Sequence, residues 1–450
     1  MVEPEALSAI SALSIKGFKS FWREQGFEVR PLTLLAGSNS SGKSSAIQPL
    51  LLLKQTLEAA YDPGSLLLDG PHVKFTAAQE ILANIDGEEA AREFVIGVTS
   101  NAGFCLENTF QQSGFGLEVV RTSVSGGRTR IDLEPEMSHS ALTKLFKHPE
   151  LVLHREGSLG VERDRCFLQL VESIPIREGA GILFTVREPH HDRFTASVSR
   201  LLQGIVHVPG LRGNPERNYR ATAVGENFPG TFDNYCASII SHWQQQDDER
   251  FEALNSDLER VGLTARVRTR QVNAAQVELL VGRLPKLSYA GDVQDLVNIA
   301  DVGIGVSQAL PVIVALQAAR YGQLVYIEQP ELHLHPRAQQ VMAEILANAA
   351  RRGVRVVAET HSSILLLAVQ SLVAEGKLDP ALVKLHWFQR DERGATQVHS
   401  TDLDENGAYG DWPEDFGEVQ AQADNRYLDA IEARAFGPRP AAKRAKVKKK

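Results

Sequence analysis

Three cysteines in 450 residues, Cys105, Cys166 and Cys236, are odd in number and widely spaced. They form no disulfide framework and no zinc knuckle, and they point to a reducing, cytoplasmic setting. Apolar runs are short. The longest, "PLLLLKQTL", is broken by Lys54 and falls well below the roughly 18 residues a membrane span needs. The opening "MVEPEALSAI" starts acidic, without the basic region of a secretory signal. Heptads sustained enough for a coiled-coil arm are missing too, and no internal repeat is found.

What remains is ordinary globular material, 43% hydrophobic and 23% charged, long enough for one large α/β domain with an insertion or for two domains. The net charge of −8 is unevenly spread. The tail Gly437 to Lys450 holds seven basic residues and no acid, so the rest of the chain carries −15. Such a tail reads equally as a solubilising extension and as a nonspecific phosphate attractor.

The most informative segment is "GSNSSGKSS", Gly37 to Ser45. It fits the G-x-x-x-x-G-K-[ST] pattern between a predicted strand ending at Gly37 and a predicted helix stopped near Asp62-Pro63-Gly64. Glycines let backbone N–H groups wrap a phosphate, and the helix N-terminus adds a favourable dipole. Gly37, Ser38, Asn39, Ser40, Ser41, Gly42 and Ser45 therefore line the expected nucleotide site. Lys43 would neutralise the phosphates, and the Ser44 hydroxyl would hold Mg²⁺ beside ATP. Pro49 is expected to kink the helix.

Short alternating runs from about Leu66 to Glu134 predict an antiparallel section. The stretch from Pro135 to Val261 is mixed. From Thr264 onward strands and helices alternate, which predicts a largely parallel sheet. One of those strands, in "QLVYIEQPELHLHP", delivers Glu328 at its end. Many nucleotide hydrolases place a general base at the following position, where this chain has Gln329.

The opening "SIKGFKSF…LTLLAGSNSSGKSS" resembles the start of ABC-type heads of the SMC, RecF and OLD kind. In the same order follow "DVGIGVSQALP", similar to a degenerate signature with Gly303, Gly305, Ser307 and Gln308, then "VYIEQPELHLHP" in the Walker B position, and "VVAETHSSILL" with the switch histidine at His361. The match runs from residue 12 to about 365. The "IEQPELHLHP", "VHVPGLRGNPERNY" and "DLDENGAYGDWPEDF" segments resemble stand-alone prokaryotic ATPases that include the PtuA-like proteins of Septu anti-phage systems.

The resemblance implies an α/β P-loop NTPase of ABC-head type, with an antiparallel β lobe and a mixed α/β insertion. It divides the chain into 1–134 and 263–436 as halves of the head, 135–262 as insertion, and 437–450 as a disordered basic tail. It also implies ATP sandwiched between two copies, in a homodimer or higher even oligomer. Lys43 would then bind phosphate, Ser44 and Glu328 Mg²⁺, and Ser307 and Gln308 the partner's nucleotide. His361 would sense the γ-phosphate and Glu331 would stand in as base.

Fewer than 90 residues follow His361, too few for a complete Toprim nuclease domain. The expected function is thus an ATP-driven switch acting on a separate HNH-type nuclease or toxin, with nucleic-acid contact open; the alternative is an ATP-clamped hub that hydrolyses little. The atypical signature argues against a transporter. His333 and His335, lacking a third ligand, read as structural or dimer-facing rather than metal-binding. "PHHD" (189–192) reads as a polar loop rather than a metal site. Arg212, Arg217 and Arg220 fit phosphate contacts and structural ion pairs equally. Trp412 and Phe416 read as packing anchors.

Overall fold

The computed structural model describes residues 9–114, 116–126, 129–145, 158–178, 181–189, 193–284 and 295–410, with Arg426, Leu428 and Ile431 beyond them. The expectations for "PHHD" past Pro189, for Trp412 and Phe416, and for the basic tail lie outside the described residues. Residues 1–409 form one compact unit and 410–450 a second; within the second, Arg426, Leu428 and Ile431 are helical.

Among the described residues the first unit holds four sheets. An antiparallel sheet has the order β2 (Gln25–Glu28), β1 (Ile10–Lys16), β4 (Glu93–Ser100), β5 (Phe104–Ser113), β6 (Gly116–Gly126) and β7 (Thr129–Leu133). It is the antiparallel lobe expected from the alternating runs after Leu66. A three-stranded sheet is made of β8 (Ser158–Asp164), β9 (Phe167–Glu178) and β10 (Gly181–Pro189).

The central sheet has the order β11 (Val206–Val208), β16 (Leu324–Glu328), β17 (Arg355–Glu359), β3 (Leu32–Gly37), β18 (Val383–Arg390) and β19 (Thr396–Thr401). The first five strands run parallel and β19 returns antiparallel. A small sheet joins β12 (Tyr219–Arg220), β13 (Val267–Asn273), β14 (Gln276–Gly282) and β15 (Leu296–Asn298). Strand-helix alternation thus marks the parallel sheet correctly, except that β13 and β14 pair antiparallel outside it.

Burial explains the central position of β3 and β16. Every residue of β3 is buried, as are Leu324 to Ile327 of β16, the pattern of strands covered on both faces. Helix α1 (Lys43–Glu58) follows β3 directly and packs on α3 (Arg193–Gln203); a short α2 (His139–Leu145) lies against β8. Pro49 sits inside α1, which continues through it to Glu58. The later part of the mixed stretch forms two helices, α4 (Cys236–Gln246) and α5 (Glu249–Val261).

Helix α6 (Ile304–Ala318) is buried almost all round, because α4, α5 and α7 (Pro336–Arg351) enclose it against β11 and β16. The last helix, α8 (Ser363–Ala374), opens on Ser362, whose Oγ accepts from the Leu365 N–H at 3.0 Å. That cap fixes the segment Thr360–Ser362 at the end of β17, beside the phosphate loop. All of this orders one edge of the sheet: β3, β16 and β17 release their chains on the same side.

Candidate functional site

The loop between β3 and α1 turns at two glycines. Gly37 has φ +144° and Gly42 φ +104°, conformations that glycine adopts without steric cost. Neither position has room for a side chain. A Cβ on Gly37 would lie 2.2 Å from the Phe388 carbonyl oxygen, and one on Gly42 would lie 2.4 Å from Thr396 Oγ1.

Ser38, Asn39 and Ser40 are exposed along the loop crest, whereas Ser41 and Gly42 are buried. The β18–β19 hairpin holds the loop from outside. Arg390 Nε donates to the Ser40 carbonyl at 2.6 Å, and Thr396 Oγ1 to that of Ser41 at 2.8 Å. Lys43 Nζ is tucked in, donating to the Gly37 and Ser38 carbonyls at 3.1 and 2.8 Å. Burial pulls its pKa down, against the charges of Glu359 and Glu331. Ser44 and Ser45 are half-buried in the first turn of α1.

Strands β16 and β17 each end on an acid on this side of the sheet. Glu328 and Glu359 end β16 and β17 in register, with Glu359 opposite Leu35 of β3. Ser44 Oγ donates to Glu359 Oε1, and Tyr326 OH to Glu359 Oε2, each at 3.0 Å. Burial raises the Glu359 carboxyl, opposed by Ser44 and Lys43.

Glu328 is committed elsewhere. Its Oε1 faces His207 Nε2 at 3.2 Å and its Oε2 accepts from the Gly210 N–H at 3.0 Å. Burial opposes its ionisation, yet His207, Gly210 and Arg212 together hold its carboxyl below the usual range. The contact row continues inward: His207 Nδ1 meets His72 Nδ1 at 3.0 Å, His72 Nε2 meets Glu58 at 3.3 Å, and Glu58 pairs with the fully buried Lys54.

Gln329 turns the chain at φ +48°, and its N–H donates to the Glu359 carbonyl at 2.8 Å. Beyond Pro330, Glu331 Oε1 accepts from Thr360 Oγ1 and from the His361 N–H, both at 2.9 Å. Its other oxygen, Oε2, is buried without a hydrogen-bond partner among the described residues, and burial raises this carboxyl. His361 is half-buried. Burial and the Lys43 charge lower its pKa, against contact with the Gly37 backbone. Lys43, Ser44, Glu331 and His361 therefore converge, and Glu359 joins them.

The signature segment is placed differently. Gly303 caps α6, and a Cβ on Gly305 would press on Leu263 at 3.3 Å. Ser307 Oγ donates back to the Ile304 carbonyl at 2.8 Å. Gln308 Nε2 reaches the Arg212 carbonyl at 3.3 Å. Ser307 Oγ is thus satisfied within its own helix and makes no hydrogen bond to the phosphate loop of the same chain.

Arg212 resolves into a structural fork. One Nη donates to the Gln308 carbonyl at 3.1 Å and the other to that of Glu328 at 2.7 Å, and burial lowers its pKa to about 10. Arg217 pairs with Asp301, and Arg220 is exposed on β12. Arg212→Ala would remove the fork that ties the Gln308 carbonyl of α6 to the Glu328 carbonyl at the end of β16, so it should destabilise the fold by roughly 2–4 kcal/mol in urea unfolding. Arg212→Lys cannot span both carbonyls and should recover less than half of that; full recovery would refute the fork.

His335 caps α7, its Nδ1 accepting from the Arg337 N–H at 3.4 Å, while His333 is exposed in a left-handed turn. Among the described residues no group of three His, Cys, Asp or Glu could hold a metal ion. That does not conflict with Mg²⁺, which is bound through one or two carboxylates, a hydroxyl, phosphate oxygens and waters. The loop also carries a buried hydroxyl, Ser41 Oγ, with no partner among the described residues. A glycine-pinned loop, this unpartnered hydroxyl, a lysine and a serine–carboxylate pair fit a nucleoside triphosphate with its metal.

A P-loop between β3 and α1 of this parallel sheet defines a nucleotide-binding fold of ATPase type. A family model described as "AAA domain, putative AbiEii toxin, Type IV TA system" matches residues 224–368, the part that holds α6, β16, β17 and His361. No curated protein matches. The chain is similar to an Smc head bound to the C-winged helix domain of ScpA, at 14% identity over 88% of this chain and 98% of that one, with TM-score 0.47. An SMC head domain from Thermotoga maritima is 11% identical, over 88% and 100%, at 0.39. An Smc head with an extended coiled coil, bound to the C-terminal domain of ScpA from Pyrococcus furiosus, is 12% identical, over 95% and 100%, at 0.45.

Proposed function

We propose that this chain binds ATP with Mg²⁺, hydrolyses it slowly, and uses the ATP-bound state as a switch on a partner effector. The observation that carries this reading is the convergence of Lys43, Ser44, Glu331, Glu359 and His361 around one glycine-pinned loop. Bound Mg²⁺ would supply charge neutralisation at the phosphates. Lys43 holds the phosphate charge, the loop N–H groups orient it, and the Glu331 carboxylate accepts a proton from water. In this reading residues 1–134 and 263–436 are the two halves of the head, 135–262 are inserted between them, and 437–450 form a tail.

The switch works through a pair of chains, with Ser307 and Gln308 completing the partner's site. Exposure of Ile304 at the start of α6, 44% of an apolar side chain, supports a face that meets another copy. The effector class is a separate HNH-type nuclease or a toxin; the matching family's description, which names a toxin of a Type IV TA system, supports the latter class. No described helix is long and apolar enough to cross a membrane.

One feature favours the hub alternative: Gln329, a neutral amide, occupies the usual base position, so an ATP-clamped oligomer with little turnover is the second reading.

Mixing separates them. Lys43→Ala and Ser307→Ala chains, each inactive alone, should form heterodimers with one intact composite site and recover about a quarter to a half of wild-type turnover per chain pair, by the statistics of shared sites. Heterodimers that form without recovering turnover would count against sites shared between chains. Measurable ATP-dependent dimers with no turnover in wild type would favour the hub.

A further inference from the structure

The acid expected to face the metal, Glu328, is spoken for. Both of its oxygens are engaged, one by His207 and one by the Gly210 N–H. The carboxylate that meets the Ser44 hydroxyl belongs to the neighbouring strand. Glu359 is 6% exposed and sits between β16 and β3, where its strand faces the loop more directly than β16 does. Its two oxygens are oriented by different groups, Oε1 by Ser44 and Oε2 by Tyr326 OH. The Gln329 N–H fixes its backbone carbonyl. An acid held this firmly at the loop serine, with no cation-bearing side chain hydrogen-bonded to it among the described residues, is shaped to receive a cation.

We propose that Glu359 is the carboxylate that, with Ser44, receives the Mg²⁺ of the bound nucleotide, Tyr326 positioning it, while Glu328 anchors the end of β16 to His207 and Gly210. This rests on the nucleotide-binding reading above. A hard divalent ion selects oxygen ligands and keeps several waters, so one serine hydroxyl and one carboxylate suffice from the protein beside the phosphates. The site has no second acid at position 329; on the parallel neighbour, position 359 supplies one from across the strand pair.

The test is calorimetric titration of the full chain with a non-hydrolysable ATP analogue, with excess EDTA and then with Mg²⁺. In wild type the metal should tighten binding. Glu359→Gln, close in shape to the native side chain, should bind the metal-free analogue as well as or better than wild type but lose about 10–100-fold of the metal's contribution. Glu359→Asp, which keeps the charge with the carboxylate drawn back, should recover part of that gain. Electron paramagnetic resonance of Mn²⁺ substituted for Mg²⁺ should show weaker binding in the Gln variant without reference to turnover.

A Glu359→Gln protein that keeps the full Mg²⁺ gain overturns the proposal, as does loss of the gain in Glu328→Gln with Glu359→Gln unaffected. If wild type binds no nucleotide with or without metal, the nucleotide-binding reading fails and the proposal with it. Metal-free binding without a metal effect in wild type overturns the Glu359 assignment and leaves nucleotide binding standing.

Discussion

Lys43→Ala is expected to lower ATP turnover by about 10²–10³-fold, the usual consequence of removing one positioned donor from a developing negative charge. The side chain is 3% exposed, and its ammonium is held at the loop by the Gly37 and Ser38 carbonyls. Burial disfavours the charged form, so the ammonium gains from a phosphate bound beside it. Removing it takes away the loop's main positive charge. The Ser38 carbonyl lies at the exposed crest, where water can replace the ammonium, while the Gly37 carbonyl is buried, so the fold should survive with a modest loss of stability. Turnover measured alongside the urea midpoint checks both halves. Near-normal hydrolysis in a folded Lys43→Ala protein would refute the site.

The second large effect concerns the base. Glu331→Gln should reduce turnover by about 10²–10⁴-fold if Glu331 takes the proton of the attacking water, the ordinary worth of general-base help. The geometry supports the role. Pro330 stiffens the turn, Thr360 and His361 hold Oε1, and Oε2 is left buried without a hydrogen-bond partner among the described residues. The amide of Glu331→Gln can keep the two contacts to Oε1, so a loss of rate would report the lost proton acceptor rather than a collapsed turn. Gln329→Glu, by contrast, places an acid at the position where the sequence reading expects a general base. It should speed hydrolysis and shorten the lifetime of ATP-bound dimers in single-turnover measurements. If Glu331→Gln turns over normally, Gln329 is orienting water that needs no protein base.

The parts of the site that lie in short contiguous motifs are legible in the sequence itself. Gly37 to Ser45 need only their spacing and a strand before them; Glu331 and His361 need only strand ends, whereas Glu328, expected from its strand end to face the metal, turns to His207 and Gly210 instead. Glu359 stands within "VVAETHSSILL", where the histidine draws the eye and the acid two residues earlier does not. Its importance comes from register, Glu359 opposite Glu328 and Leu35 at once, and register is a non-local property. A signal does exist: an acid at the end of a second parallel strand, mirroring Glu328.

His207, Gly210 and Arg212 stand inside "VHVPGLRGNPERNY", and what the sequence hides is their meeting with the end of β16. They lie in and just after β11, a strand of three residues in a stretch of mixed pattern, although β11 pairs with β16 in the central sheet. Three residues are too few to show periodicity. Arg390 and Thr396, which pin the phosphate loop, come from a hairpin about 350 residues downstream, where nothing local marks them.

The row from Glu328 through His207 and His72 to Glu58 has a consequence in proton counting. Three hydrogen-bond contacts link four titratable groups, and the two ends are carboxylates. An ionised carboxylate only accepts, and a neutral imidazole brings one N–H. Two neutral imidazoles therefore provide two protons for three bonds, and the row closes only when it holds a third. Lys54, buried against Glu58, balances the charge that would otherwise remain. A closed row therefore needs one proton more than two neutral imidazoles carry, and burial, which lowers the His72 pKa, works against that proton.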